Sequence, residues 1–538
     1  MSLRTQHIER LSGSTFDVLI VGGGINGAVS AAALAARGVQ VALIDARDFA
    51  GFTSQQSSNL IWGGIKYLET YEFTLVSRLC KARNTLLETY PSVVEEIRFL
   101  TSIPKSFRRH PRLVWAGTWL YWLMGRGYTK PPAYFSTSGL KQREPAINTS
   151  ICRGGIEYSD AYLHDNDARF VFNFVRRAVD KGCIAVNYLS AEKAVLSDDG
   201  LWTVGVKDTL DGGSFEIRCR SVINAAGAFV DHFNLANGIQ TRHKHIFSKG
   251  IHLIVPRIGN SKRVLAFFAD DGRLFFAIPM GNRSCIGTTD TPVAEPDTAV
   301  TEQDRDFVLD NINARLDLSR PLRREDIIAE RCGVRPLAIE HEADPDVDFL
   351  QLSRKHVVEL VADKPYLSIF GGKLTDCLNV GDEICSQIAG LGIGPPRDEG
   401  AREDRWYGEP GEAPYSRYCE RAKAMLLDEI KLPDAEESLM TRLWRRYGLD
   451  AFAMLALIEQ DRAQAEPVIE GAALYRCELP HLAEKEMLTS LEDLFHRRTK
   501  IGLLIAREKL RASEGTKEVC RIVFGERAED KFDEYFSK

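Results

Sequence analysis

The 538-residue chain carries no C-x-x-C pair, and its eleven cysteines are scattered from Cys80 to Cys520. An odd, unpatterned set argues against a disulfide framework or a zinc ribbon and fits a reducing compartment. Long apolar runs are also missing. The longest, Leu113 to Met124, is interrupted by Gly117 and Thr118 and falls short of the roughly 20 residues of a spanning helix. The opening residues, MSLRTQHIERLSGST, hold no apolar core of a secretory signal, so a cytoplasmic protein that does not cross a membrane is expected. Neither sign of charge dominates: 69 Lys and Arg stand against 75 Asp and Glu, and no global excess draws the chain to nucleic acid. At 44% hydrophobic and 27% charged, a chain this long is expected to build roughly two to four globular domains.

What is present begins at Phe16. FDVLIVGGGINGAVSAAALAARGVQVALIDA reads as a buried strand, a glycine turn, an Ala-rich helix to Arg37 stopped by Gly38, and a second parallel strand ending on Asp45. Gly22, Gly24 and Gly27 have the GxGxxG spacing. The first permits the tight turn, the second lets backbone approach a pyrophosphate, and the third lets helix and strand pack closely. Asn26 lies inside the same turn. The helix start offers free N–H groups to the pyrophosphate. Asp45 stands where an acid accepts from ribose hydroxyls, which disfavours a 2′-phosphate. FAD and NAD satisfy this unit equally.

Strand-like and helix-like segments alternate to about residue 400. A helix is expected at 165–181, with strands in IAVNYL and SVINAAG. IHLIVP (251–256) and RLFFAIPMGNRSCIGT (273–288) look antiparallel, with a turn at Gly281-Asn282. A Pro/Gly/charge-rich linker at 392–414 precedes a helical tail. There Met487, Leu488, Leu491, Leu494 and Phe495 form a helical stripe, with Thr489 and Glu492 in capping-box spacing. The fold class expected is α/β: a Rossmann-like domain interleaved with an antiparallel-sheet substrate domain, plus an all-helical C-terminal domain. The boundaries read are 1–80, 150–240 and 330–391 for the first, 81–149 and 241–329 for the second, and 415–538 for the third.

TSQQSSNLIWGGIKYLETYEFTLV (53–76), KGIHLIVPR (249–257) with IGTTDT (286–291), and CGVRPL (332–337) with SIFGGKLTD (368–376) follow in order. With the N-terminal unit, they make the chain resemble the FAD-dependent glycerol-3-phosphate dehydrogenases of the D-amino-acid-oxidase-like flavoprotein superfamily. The resemblance runs from about residue 16 to 390 and resumes in LEDLFHRRTKIGLL (491–504). It implies FAD as cofactor, a small phosphorylated polyol as substrate, and oxidation of sn-glycerol 3-phosphate to dihydroxyacetone phosphate. It also implies quinone as acceptor and a peripheral seat on the inner face of the cytoplasmic membrane; a homodimer is compatible with it. The alternatives are a flavoprotein oxidase or a dehydrogenase of another hydroxy acid, polyol phosphate or amine, and, from another class, a flavin-binding protein without turnover.

Such a reaction needs a hydride acceptor, a base for the hydroxyl proton, and cations for a phosphate dianion. The resemblance assigns His252 as base and Lys373 as a charge favouring alkoxide. It assigns Arg335 and Arg354 as phosphate clamps, with Lys66 and Tyr67 adding a charge and a hydroxyl. Ser54, Ser57, Ser58, Gly63, Gly64, Gly227, Gly371, Gly372, Leu374 and Thr375 are assigned to the flavin pocket. The chain departs from the family pattern at Trp62, where His precedes the double glycine, at Lys66, where Arg is usual, and at Asp376-Cys377. An Asp376 that faced the site would oppose an anionic substrate. Residues 107–130 combine four Arg and one Lys with three Trp. They fit either an interfacial helix or a cap helix buried on the substrate domain.

Overall fold

A computed structural model describes residues 2–269, 272–342, 355–394, 412–433, 435 and 437–537. Among these residues the body is built on two sheets. Strand Thr15–Val21 is central to the first, flanked in parallel by Val41–Ile44 and Ser214–Asn224. Ile184–Val186 and Tyr366–Phe370 extend it in parallel on either side. Val18, Leu19 and Ile20 are fully buried, as a continuous apolar run covered on both faces requires. The helix Ile25–Ala35 lies on this sheet, between the helices Asp167–Asp180 and Cys377–Gly390. Its alanines and glycine admit that crowding: a Cβ on Gly27 would overlap the Gly22 carbonyl oxygen. The expected stop is present, with Gly38 at φ +79°. The N-terminal helix Leu3–Gly13 was not anticipated from sequence; it buries His7 and Leu11 against the same sheet.

The second sheet is mostly antiparallel. Its spine, His243–Pro256, pairs with Ala329–Glu340 over twelve positions and with Arg283–Gly287 on the other side. Leu274–Met280 and Arg283–Gly287 form the hairpin turning at Gly281-Asn282. The sheet continues through Val264–Phe268, Val94–Pro104 and Cys152–Leu163 to Leu60–Ile61. Cys152–Leu163 and Ala329–Glu340 thus lie in the second sheet, although the boundaries at 150 and 330 assign both to the nucleotide-binding segments. Their partners are remote in sequence, and no local pattern carries that information.

The C-terminal region is helical among its described residues, and most of the 392–414 linker (395–411) lies outside them. The expected stripe needs a correction. Met487 has φ +50° and precedes the helix, and the capping box forms one residue later than Thr489/Glu492. Ser490 Oγ accepts from the Asp493 N–H at 3.3 Å, while Asp493 Oδ2 accepts from the N–H groups of Ser490 and Thr489 at 3.1 and 2.8 Å. Asp493–Arg498 then winds as a π-helix, which delivers consecutive arginines to one place. Arg497 and Arg498 both donate to the buried Asp48, at 2.8 and 2.7 Å. Arg169–Glu486 at 2.6 Å and Arg445–Asp165 at 2.7 Å continue this buried ionic seam. Such pairs add little net stability but punish any docking that leaves a charge unmatched.

The segment at 107–130 forms the helix Pro111–Met124, started by His110, whose side chain accepts from the Arg112 N–H. It buries one side only. Thr118 and Tyr121 are buried and the three tryptophans half-buried, while Leu113, Leu120 and Leu123 are 58%, 44% and 61% exposed. Among the described residues no helix is long and apolar enough to cross a membrane.

Candidate active site

The nucleotide end is set by the first strand–helix turn. Gly22 has φ +107°, and a Cβ there would overlap the Ala225 carbonyl at the end of the neighbouring strand. Asp45 Oδ2 accepts from the Gly23 N–H at 2.6 Å and Oδ1 from the Arg47 N–H at 2.8 Å. Desolvation pushes its pKa up to about 6 despite those two bonds. Gly24 is open apart from Ser54, whose Oγ accepts from the Ile25 N–H at 3.0 Å. Ser54 therefore already satisfies one amide of the helix start. Asn26 Nδ2 donates to the Gly371 carbonyl at 2.9 Å, tying this turn to the FGGK segment.

Between the sheets lies a cavity of about 350 Å³. Ser54, Ser57, Ser58, Gly371, Gly372, Leu374 and Thr375 line it together with Lys66, Tyr67, His252, Arg335 and Lys373. These residues come from strands and turns far apart in sequence. Gly371 and Gly372, at φ +63° and +115°, turn the chain after the buried strand Tyr366–Phe370. Lys373 then donates to Tyr67 Oη at 2.7 Å. The Arg335 guanidinium is seated by Thr288 Oγ1 at 3.0 Å and by Asp290 at 3.4 Å. It lies over Gly250, where any Cβ would collide with it; that accounts for the glycine of KGIH. Arg273, Lys355, Thr288 and Asp290 also line the cavity.

His252 is 1% exposed. Burial, reinforced by the charges of Arg331 and Arg335, holds its imidazole well below the usual histidine range, so it is neutral at physiological pH. Nε2 lies 3.0 Å from Ser58 Oγ, and Nδ1 is buried without a hydrogen-bond partner. The loop bearing Ser58 is braced from behind. Asp167 Oδ2 accepts from the Ser57 N–H at 2.7 Å and from Arg331 at 2.5 Å. The π-helix also reaches it, with Arg497 donating to Gln55 Oε1 at 3.2 Å.

A model of the family described as FAD dependent oxidoreductase matches residues 17–367. The chain belongs to this family. Residues 413–531 match the C-terminal domain of alpha-glycerophosphate oxidase. Among curated relatives of these oxidoreductases, the glycerol-3-phosphate dehydrogenase of Pseudomonas tolaasii is 32% identical over 92% of this chain and 93% of its own. The aerobic glycerol-3-phosphate dehydrogenase of Escherichia coli is 30% identical over 93% and 97%. The FAD-complexed glycerol-3-phosphate dehydrogenase from Bacillus halodurans shares the fold, with TM-score 0.75, 24% identity, and coverage of 100% of this chain and 97% of that one.

The residues fit the family's cofactor. Asn26 Oδ1 is buried and without a partner beside the positive-φ turn at Gly371-Gly372, an acceptor left for a ligand. Other positions assigned to the flavin have different surroundings. Gly63 makes room for the Tyr121 hydroxyl and Gly64, at φ +80°, for the Tyr67 ring; neither lines the cavity. Gly227, at φ +59°, follows the strand that Gly22 packs against and also stands outside it. Arg354 lies outside the described residues. Asp376 turns away from the site: it is 4% exposed and paired with His356 at 2.8 Å and Arg78 at 3.2 Å. Arg273 and Lys355 escaped sequence reasoning. The one discernible signal for Arg273 is a charge at the entrance of an otherwise apolar strand.

Proposed function

We propose that the protein is an FAD-dependent glycerol-3-phosphate dehydrogenase that produces dihydroxyacetone phosphate, the activity its curated relatives are named for. The observation that carries this reading is the placement of five cations, Lys66, Arg273, Arg335, Lys355 and Lys373, around one neutral buried imidazole. A phosphate dianion answers the cations and an alcohol answers the imidazole. Arg335 clamps the phosphate, with Arg273 and Lys355 adding charge. His252 takes the hydroxyl proton. Lys373 polarises the Tyr67 hydroxyl, which donates to the substrate oxygen as negative charge develops on it. FAD, when bound, supplies the acceptor for the C2 hydride. His252→Asn is expected to slow anaerobic flavin reduction by glycerol 3-phosphate by about 10²- to 10⁴-fold, the usual worth of a positioned base. An unchanged rate would remove His252 from this role.

Electrons leave, on this reading, to a membrane quinone, and the protein sits peripherally on the inner face of the cytoplasmic membrane. Support comes from the exposed Leu113, Leu120 and Leu123 beside Arg108, Arg109 and Arg112, since apolar side chains rimmed by arginine suit an anionic lipid surface. The triple variant Leu113→Ser, Leu120→Ser, Leu123→Ser should lose most co-sedimentation with vesicles containing phosphatidylglycerol while keeping glycerol 3-phosphate–dependent reduction of a soluble dye. Equal sedimentation of the two proteins would contradict this surface.

A further inference from the structure

We propose that a second pocket, adjoining the active-site cavity, is where a membrane quinone collects the electrons; this rests on the quinone reading given above. The pocket is a groove of about 620 Å³. It lies between the helix Phe73–Thr89, the last residue of the surface helix Pro111–Met124 and the start of the helix Cys377–Gly390. Two chain segments line first the cavity and, three residues on, the groove. Thr70 and Thr375 belong to the cavity, Phe73 and Leu378 to the groove. Residues three apart on a helical turn stand about 5–6 Å apart between Cβ atoms, so one layer of chain divides the two spaces. A hydride needs its acceptor in contact; electrons alone cross such a layer. At its other side the groove meets the proposed lipid surface. Met124 lines it, and Leu120 and Leu123 of the same helix are 44% and 61% exposed.

The lining suits a quinone ring. Phe73, Ala82, Met124 and Leu378 are apolar, while Arg78 and Lys81 supply donors. A mostly apolar pocket with a few placed donors is the usual seat of a small ligand. A quinone is an apolar ring with two carbonyl acceptors, and its reduction puts negative charge on those oxygens, which cations stabilise. Among the described residues no carboxylate lines the groove. Arg78 Nε donates to Asp376 Oδ1 at 3.2 Å, so the residue that departs from the family pattern seats a groove cation. In the overall step glycerol 3-phosphate loses two electrons and two protons, one from O–H and one from C2–H. The quinone gains two electrons through the flavin and two protons from solvent, and its two carbonyls become the two hydroxyls of the quinol.

The test uses holoenzyme reduced anaerobically with glycerol 3-phosphate, then mixed without lipid or detergent with menadione, a quinone lacking an isoprenoid tail. Flavin reoxidation should rise hyperbolically with menadione. Thr74→Trp, which adds bulk to the groove from an exposed position, should slow it at low menadione by at least about tenfold, or about 1.4 kcal/mol of recognition. Lys81→Ala should slow it less, and Lys81→Arg, which keeps the charge, should stay within about threefold of wild type. Flavin reduction by glycerol 3-phosphate should be unchanged in all three. Wild-type reoxidation in both Thr74→Trp and Lys81→Ala would overturn the proposal. So would a loss confined to sedimentation with phosphatidylglycerol vesicles, which would mark a headgroup site instead. Wild-type flavin that menadione does not reoxidise would remove the quinone reading itself.

Discussion

Replacing Arg335 with alanine lowers kcat/KM for glycerol 3-phosphate by about 10²- to 10⁴-fold, most of it as a higher KM. The size follows from the bond type: a hydrogen bond to a charged group contributes about 1.5–3 kcal/mol, and a guanidinium makes two such bonds to one phosphate. The geometry supports a fixed fork. Thr288 Oγ1, the Thr289 carbonyl at 3.3 Å and Asp290 at 3.4 Å hold the guanidinium before any ligand arrives. Arg335→Lys keeps the charge, loses the fork and should fall between. The same substitution has a pH signature. His252 is depressed first by burial and then by Arg331 and Arg335. Removing Arg335 therefore raises its pKa, and the acid limb of the kcat/KM profile moves to higher pH. Steady-state profiles of the two enzymes check both effects. An unchanged KM would show that the phosphate is held elsewhere.

Asp48→Ala is expected to cost about 3–5 kcal/mol of stability, because it strips the partner from buried cations. Asp48 is fully buried and receives Arg497, Arg498 and the Asn187 amide. Arg497 and Arg498 come from the C-terminal π-helix, and Arg497 also touches the loop that carries Ser54, Ser57 and Ser58. The loss should thus appear twice: as a lower denaturation midpoint and as weaker retention of FAD on dilution. Wild-type stability with intact flavin would mean that the seam between the regions is not set by this carboxylate.

The nucleotide-binding unit was legible because its glycines answer backbone demands that no other residue meets; Gly22 and Gly27 leave no room for a Cβ. The 274–287 hairpin was legible through its turn residues. The capping box slipped by one because Thr489, Ser490, Glu492 and Asp493 offer two overlapping pairs at the right spacing. The structure uses the later pair, Ser490 and Asp493, and Thr489 also donates to the same Asp493 carboxylate. Asp376 could be read from sequence as facing the substrate. His356, which comes from another strand edge, turns it inward. The convergence of Lys66, His252, Arg335 and Lys373 on one cavity followed from motifs matched to a family. The addition of Arg273 and Lys355 depended on long-range strand pairing that no local spacing encodes. The surface helix 111–124 is intermediate: its apolar residues were visible, but which side they cover depends on the sheet beneath it.

The central claim is that this cavity oxidises a phosphorylated alcohol with its own flavin, and rapid anaerobic mixing of the holoenzyme with glycerol 3-phosphate tests it most directly. The account predicts prompt bleaching of the flavin band, saturating with substrate, with equimolar dihydroxyacetone phosphate formed and no bleaching by unphosphorylated glycerol at equal concentration. Flavin that stays oxidised with glycerol 3-phosphate but bleaches with an amino acid or an unphosphorylated hydroxy acid would contradict it.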